Sequence, residues 1–190
     1  MQEFLGVDTS NYTTSLALSR DGEIVKNLKK LLDVKEGQRG LRQSDAVFAH
    51  TVNLPHLFDE MGRISPAAVG VSVSPRDAEG SYMPCFLAGI SCAAAVASTS
   101  GVPLYRFSHQ AGHIAAALYS CGAEPLIHGR FLAFHVSGGT TELLLSDNMN
   151  ITRLGGTKDI SAGMAIDRTG VLLGMKFPCG KELETVAGDM

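Results

Sequence analysis

The sequence has no tryptophan, only four cysteines in 190 residues, and aromatic side chains at just 6%. Cys85, Cys92, Cys121 and Cys179 stand far apart with no C-x-x-C pair, which excludes a zinc knuckle and a disulfide framework. They read as reduced thiols of a cytosolic protein. Long hydrophobic runs are missing as well. The longest weakly polar stretch, residues 85–98, is interrupted by Ser91 and falls short of the ~20 apolar residues of a membrane span. The opening Met-Gln-Glu lacks the basic-then-apolar layout of a secretory signal. The expected location is therefore cytoplasmic, with no membrane partner. Charge is scarce: 18% of residues carry it and the net is −3, which together with 45% hydrophobic content excludes disorder. What the chain does have is 21 glycines and enough apolar residues for a core. A chain of this size buries about 70% of its unfolded surface, in one domain or one and a fraction.

An internal repeat organises the sequence. Residues 4–19 read FLGVDTSNYTTSLALS and residues 131–146 read FLAFHVSGGTTELLLS, with 8 of 16 positions identical and no gap. Each copy is an apolar strand, a small-residue turn and a strand of alternating character. Two such hairpins 127 residues apart predict a duplicated α/β unit, with lobes at 1–130 and 131–190. In the first lobe the Asp21-Gly22 turn leads to a third strand at residues 23–31. A basic loop then precedes a helix at 45–62, capped by Ser44 or Asp45 and bent at Pro55. A buried strand at 67–73, an Ala-rich helix at 83–99, a strand at 103–107 and a helix at 109–119 follow. The second lobe continues with a strand near 151–154 and a helix at 161–173, and is expected to be incomplete, with apolar strand edges exposed around residues 143–145.

Four features could carry chemistry. The turns Asp8-Thr9-Ser10-Asn11 and Val136-Ser137-Gly138-Gly139-Thr140-Thr141 would let backbone N–H groups and hydroxyls approach phosphate oxygens across a cleft, although plain β-turns fit either one alone. In His109-Gln110-Ala111-Gly112-His113, helical i, i+4 spacing puts both imidazoles on one face within reach of one metal; an exposed histidine pair is the other reading. Gln110 stands where a zinc peptidase has its glutamate base, which argues against peptidase chemistry. In residues 159–168, Asp159 or Ser161 is expected to cap a helix carrying Gly163 and Asp167. Finally, six of the sixteen basic residues (Lys26, Lys29, Lys30, Lys35, Arg39, Arg42) fall within residues 26–42, suiting either a solvated loop or a nucleic-acid contact.

Taken in order, these motifs resemble the TsaD family, also called Gcp or YgjD and once labelled O-sialoglycoprotein endopeptidase. Gly6-Val7-Asp8-Thr9-Ser10 stands where the family has G-I-E-T-S, and His109 to His113 looks like its H-x-E-G-H. Val136-Ser137-Gly138-Gly139-Thr140-Thr141 is similar to V-S-G-G-H-T. Leu154-Gly155, Asp159, Gly163, Ala165, Asp167 and Arg168 follow the pattern L-G-x-x-x-D-D-A-A-G-E-A-F-D-K. Leu172-Leu173-Gly174 through Gly180 corresponds to L-L-G-x-x-Y-P-G-G.

The resemblance implies an α/β fold of the actin/hexokinase/heat-shock-70 (RNase H-like) superfamily, whose duplicated lobes clasp a nucleotide. It implies transfer of a threonylcarbamoyl group from its adenylate to N6 of the adenosine beside the tRNA anticodon. The implied partners are tRNA and TsaB- or TsaE-like pathway proteins. His109 and His113 would bind a divalent metal, iron or zinc. Asp8, Thr9, Ser10, His135, Val136, Ser137, Gly138, Gly139, Asp167 and Gly180 would line the site of the ATP- or AMP-type adenylate. The departures imply divergence. The family's acidic C-D-E-T is replaced by Asn11-Tyr12-Thr13-Thr14, its Gly-Pro-Gly loop by Ser74-Pro75-Arg76, and two further acidic positions by Ile160 and Met164. Its later nucleotide-binding Asn and third metal ligand, an Asp, have no counterpart before Met190, so a C-terminally incomplete relative is expected. The alternative is a non-catalytic paralogue serving as partner or scaffold in the same machinery.

Overall fold

In the computed structural model, which describes residues 2–10, 12–33 and 41–188, alternation of apolar residues builds the first sheet. Strands β1 (Glu3–Asp8) and β2 (Thr13–Arg20) pair antiparallel with Leu5 opposite Leu18 and Val7 opposite Leu16, so all four side chains point to one face. Strand β3 (Glu23–Leu31) follows through Asp21-Gly22, whose φ values of 50° and 92° supply the twist a two-residue hairpin turn needs. The helix α1 (Gln43–Met61) then leads to β4 (Pro66–Ser74), which lies parallel to β1. Helix α2 (Phe86–Ser100) makes the crossover to β5 (Leu104–Ser108), parallel to β4, giving the order β3-β2-β1-β4-β5.

The core of this sheet is Leu5, Val7, Leu16, Leu18, Val69 and Val71 against Leu54, Leu57 and Met61 of α1 and Ala93 and Ala97 of α2. Ala93 and Ala97, one turn apart, present a small-residue stripe that seats α2 on the strands. Helix α1 begins two residues before the expected start. Arg42 takes the N-cap position with no side-chain bond, while Asp45 sits in the first turn, where a carboxylate offsets the exposed N–H groups. At its other end Lys26 donates to the Glu60 and Met61 carbonyls, at 3.1 and 2.8 Å. The helix runs through Pro55. Helix α2 starts three residues later than expected because Pro84 disfavours helical geometry at Met83.

After α3 (His109–Ser120) and a 3-10 turn at Glu124–His128, the second sheet contains β6 (Arg130–Val136), β7 (Thr141–Asp147) and β8 (Asn150–Gly156), in that order. Its pairing repeats that of the first. Phe4 faces Ser19 and Phe131 faces Ser146; Arg20 faces Glu23 and Asp147 faces Asn150, each at the 127-residue offset. The connecting turn is reproduced as well, with Asn148 and Met149 at φ 50° and 62°. The duplication therefore extends beyond the sixteen aligned residues to the third strand. Helix α4 (Ala162–Leu172) and a short α5 (Gly180–Gly188), which the sequence pattern did not indicate, complete the described chain. Of the two expected caps for α4, Ser161 is the one used: its hydroxyl accepts the Met164 N–H.

The chain divides into two compact units, residues 1–113 and 114–190, with the division inside α3 rather than at the start of β6. The two units bury opposite faces of their sheets. Leu5 and Val7 are buried, whereas their counterparts Leu132 and Phe134 are 61% and 76% exposed. In the second unit Glu142, Leu144 and Ser146 are buried instead. Among the described residues no strand in that unit corresponds to β4 or β5. The exposed apolar row is thus on β6, at Leu132, Phe134 and Val136, and not at residues 143–145, where Leu144 is fully buried. No helix among the described residues is long and apolar enough to cross a membrane.

Strand β6 also lies at the edge of its sheet, so it offers both unpaired backbone groups and an apolar face. The 190-residue polypeptide is expected to self-associate through it. Phe134→Lys should raise the monomer fraction in light scattering coupled to size-exclusion chromatography; an unchanged mass distribution would place the association elsewhere.

Candidate functional site

Parallel strands deliver their carboxyl ends to the same edge of a sheet, and this edge is where α/β proteins bind ligands. Strand β1 ends at Asp8, β4 carries Ser72 near its end, and β5 runs directly into His109 at the start of α3. Residues 64 and 101 positions from Asp8 therefore meet it. Asp8 Oδ2 accepts from the Ser72 hydroxyl at 2.5 Å and faces His109 Nδ1 at 2.9 Å. Its Oδ1 accepts from the N–H and the hydroxyl of Ser10, at 2.8 and 2.5 Å. Burial pushes the Asp8 carboxyl up. The hydrogen bond and charge of His109, with the Ser10 and Ser72 hydroxyls, overcome that and hold it at about 2.

Helix α3 places the two histidines as their spacing requires. His109 Nε2 and His113 Nε2 approach to 2.8 Å, with the rings edge-on. The Ser10 hydroxyl lies 3.4 Å from His109 Nε2, and the Phe86 ring sits edge-on to His109 at 6.5 Å between centroids. The helix start is held by Ser108, whose hydroxyl accepts the Ala111 N–H, and by the Gln110 N–H bonded to the Pro75 carbonyl. Two imidazole nitrogens converging on one point suit iron or zinc as part of a ligand set. Among the described residues no group of three or more His, Cys, Asp or Glu side chains surrounds such a point, so the pair would supply two ligands. Thr9 has a different task. It is fully buried, donating to the Cys85 carbonyl at 2.9 Å and accepting the Gly89 N–H at 3.1 Å, which pins the turn to the first turn of α2.

The second unit builds its loop around Ser137. That hydroxyl accepts the N–H groups of Gly139 and Thr140, at 3.2 and 3.1 Å, so these two donors are engaged within the loop. Thr140 Oγ1 lies 2.8 Å from the Ser137 hydroxyl and 3.1 Å from His135 Nδ1. Val136 is exposed beside them. The parallel with the first unit is close: Asp8 and His135 are equivalent positions, and each is linked to a serine two residues on, directly for Ser10 and through Thr140 for Ser137. Helix α4 is docked onto this loop. Ser161 donates to the Gly138 carbonyl at 2.7 Å, and Ala162 N–H bonds Thr141 Oγ1 at 2.8 Å. Further along α4, Asp167 accepts the Cys179 N–H at 2.8 Å and so fixes the residue before Gly180, where α5 begins.

The structure thus joins Asp8, Ser10, His109 and His113 in one cluster, and places His135 through Gly139 with the α4 start in another. Ser72 and Ser108 were not indicated by the sequence; only their positions at the ends of parallel strands could have signalled them. Of the basic stretch, Lys26, Lys29 and Lys30 lie on β3, and Arg42 begins α1. Lys35, Arg39 and Asn11 lie outside the described residues.

Paired β-meanders, each followed by helices, together with a polar cluster at the carboxyl ends of parallel strands, give the chain a fold like that of the actin/hexokinase/heat-shock-70 proteins. The solved structure of YeaZ from Pseudomonas aeruginosa shares this fold over 86% of this chain and 68% of its own, with a TM-score of 0.50 and 16% identity. The family described as tRNA N6-adenosine threonylcarbamoyltransferase, TsaD, matches residues 68–190, and the chain belongs to that family. Relatives so named include those of Enterococcus faecalis, 32% identical over 192 residues, and Thermus thermophilus, 33% identical over 192 residues. Each alignment covers 96% of this chain but only 53% and 56% of those relatives, so the chain spans about half their length.

Two glycines on helices separate packing from propensity. A Cβ at Gly163 would lie 2.5 Å from the Ser137 carbonyl oxygen and 2.8 Å from Gly138 backbone atoms, whereas one at Gly112 would meet nothing within 4 Å. Gly112→Ala should gain about 0.5–1 kcal/mol from helix propensity. Gly163→Ala should instead lose about 1–3 kcal/mol through backbone crowding. Opposite shifts in melting temperature are expected; shifts of the same sign would refute the docking of α4 on the loop.

Asp8 also makes stability depend on acid. Its folded pKa of about 2 lies below the unfolded value, so its contribution is present above roughly pH 4 and is lost as pH falls through about 2. The contribution is about 2 kcal/mol. The stability gap between wild type and Asp8→Asn should hold above pH 4 and close below it. A gap independent of pH in acid denaturation would contradict this.

Proposed function

We propose that this chain serves tRNA threonylcarbamoyladenosine modification, contributing a metal- and nucleotide-dependent site for transfer of a threonylcarbamoyl group from its adenylate to N6 of the adenosine beside the anticodon. The observation that carries the reading is the meeting of His109 and His113 at one point, with His109 backed by the Asp8 carboxylate, in a chain of this family. In the reaction, N6 forms a bond to the carbamoyl carbon, the bond from that carbon to the phosphate oxygen breaks, AMP departs and N6 loses a proton to water. His109 and His113 would hold iron or zinc, which when bound supplies Lewis-acid polarisation of the carbamoyl carbonyl. In the second unit the His135 to Gly139 loop would contact the adenylate, and in the first unit the Asp8 to Ser10 turn carries the same expectation from the family motif. Asp167 and Gly180 belong to the same reading as supports of the nucleotide site. The partners are tRNA and TsaB- or TsaE-like proteins, in the cytoplasm.

Elemental analysis tests the assignment of the histidines. Wild-type chain should carry iron or zinc, and His109→Ala with His113→Ala should carry none; equal content in both sinks the assignment. A second reading, a non-catalytic partner in the same machinery, draws on the absence of carboxylates at Tyr12 and Thr13. It is separated by a transfer assay with tRNA and pathway proteins. Transfer by the wild-type chain supports catalysis, while transfer only after Tyr12→Asp with Thr13→Glu supports the partner role.

A further inference from the structure

We propose that Asp8 is the positioning residue for His109, accepting a hydrogen bond from its protonated Nδ1 and leaving Nε2 as the electron-pair donor aimed at the point shared with His113. The inference rests on the reading that these histidines hold a metal. The geometry assigns the proton by elimination. The other contacts of Asp8 are to an N–H and two hydroxyls, all able to donate, and a carboxylate only accepts, so His109 Nδ1 at 2.9 Å must be a donor. With Nδ1 carrying the proton, the uncharged form of His109, the only form that can ligate a metal, has its lone pair on Nε2. In that form the 2.8 Å contact between the two Nε2 atoms has His113 as its donor.

The carboxylate itself has little freedom. It grows from the last residue of β1, is gripped on one oxygen by its own turn through Ser10, and on the other by Ser72 of β4. His109 is fixed in turn by the start of α3 and by the Phe86 ring beside it. A ligating histidine whose second nitrogen donates to an anchored carboxylate is held in tautomer and orientation, and its ligand nitrogen is more basic. The same residue was expected from its motif to face the nucleotide. In the structure both of its oxygens are committed to protein donors.

The test uses Zn2+ titrated by calorimetry into the purified chain, with nitrogen-15 spectra of labelled histidine in the metal-free protein. Asp8→Asn should weaken Zn2+ binding about 10- to 100-fold, and Asp8→Glu should restore it to within a few-fold of wild type. Wild-type His109 should show a protonated Nδ1 and a bare Nε2, and Asp8→Asn should lose that preference. Should the Asn variant fail to fold, the wild-type spectrum still decides, because an Nε2-protonated His109 overturns the proposal. Equal Zn2+ affinity in wild type and a folded Asp8→Asn overturns it as well. Wild-type chain that shows the Nδ1 tautomer yet binds no Zn2+ overturns the metal reading, and with it the role of Asp8 toward a metal.

Discussion

The Asp8 carboxylate is the point on which the first unit's chemistry depends. One side chain gathers groups from the β1 turn, from β4 and from the junction of β5 with α3. Such a gathering requires parallel strands, since only they bring three carboxyl ends to one edge. It also requires a carboxylate rather than an amide, because all four partners present donors. The neighbouring residue contributes by packing: buried Thr9 sits so close to Gly89 that a Cβ there would lie 2.7 Å from its hydroxyl. Chemistry at Asp8 and rigidity at Thr9 are thus adjacent in the chain and divided between its two faces.

The second unit repeats the backbone but not the burial. Strand order, turn conformation and most pairings recur at a constant offset, the exception being a bulge that falls at Leu18/Ser19 in the first copy and at Leu143/Leu144 in the second. Burial follows from what covers the sheet. Leu5 and Val7 lie under α1 and α2, while Leu132 and Phe134, their equivalents, remain open. The loop chemistry differs for a related reason. At the equivalent positions Asp8 is a hub for four donors, whereas His135 lies 3.1 Å from Thr140 Oγ1 within its own loop and the Ser137 hydroxyl takes over as acceptor.

Much of this was legible in the sequence. Alternating apolar residues locate the strands of both hairpins, the small-residue turns locate both loops, and i, i+4 spacing on a helix brings His109 and His113 together. These features are local, set by side-chain period and turn geometry over a few residues. Family membership was legible too, since it rests on motifs in order. Boundaries were less so: Arg42, not Ser44 or Asp45, precedes α1, and α5 escaped notice because its short, polar sequence carries little periodicity.

Only the tertiary structure decided the rest. That Asp8 serves His109, that Ser72 joins them, that Asp167 holds Cys179, and that Gly163 must be bare to let α4 meet the Ser137 loop are all contacts between residues at least 12 positions apart. No local pattern encodes them, because a hydrogen bond between distant residues depends on where the intervening strands and crossovers place their ends. The sequence by itself determined which segments become strands and helices and which residues could bind; parallel stacking of β1, β4 and β5 determined which of those residues meet.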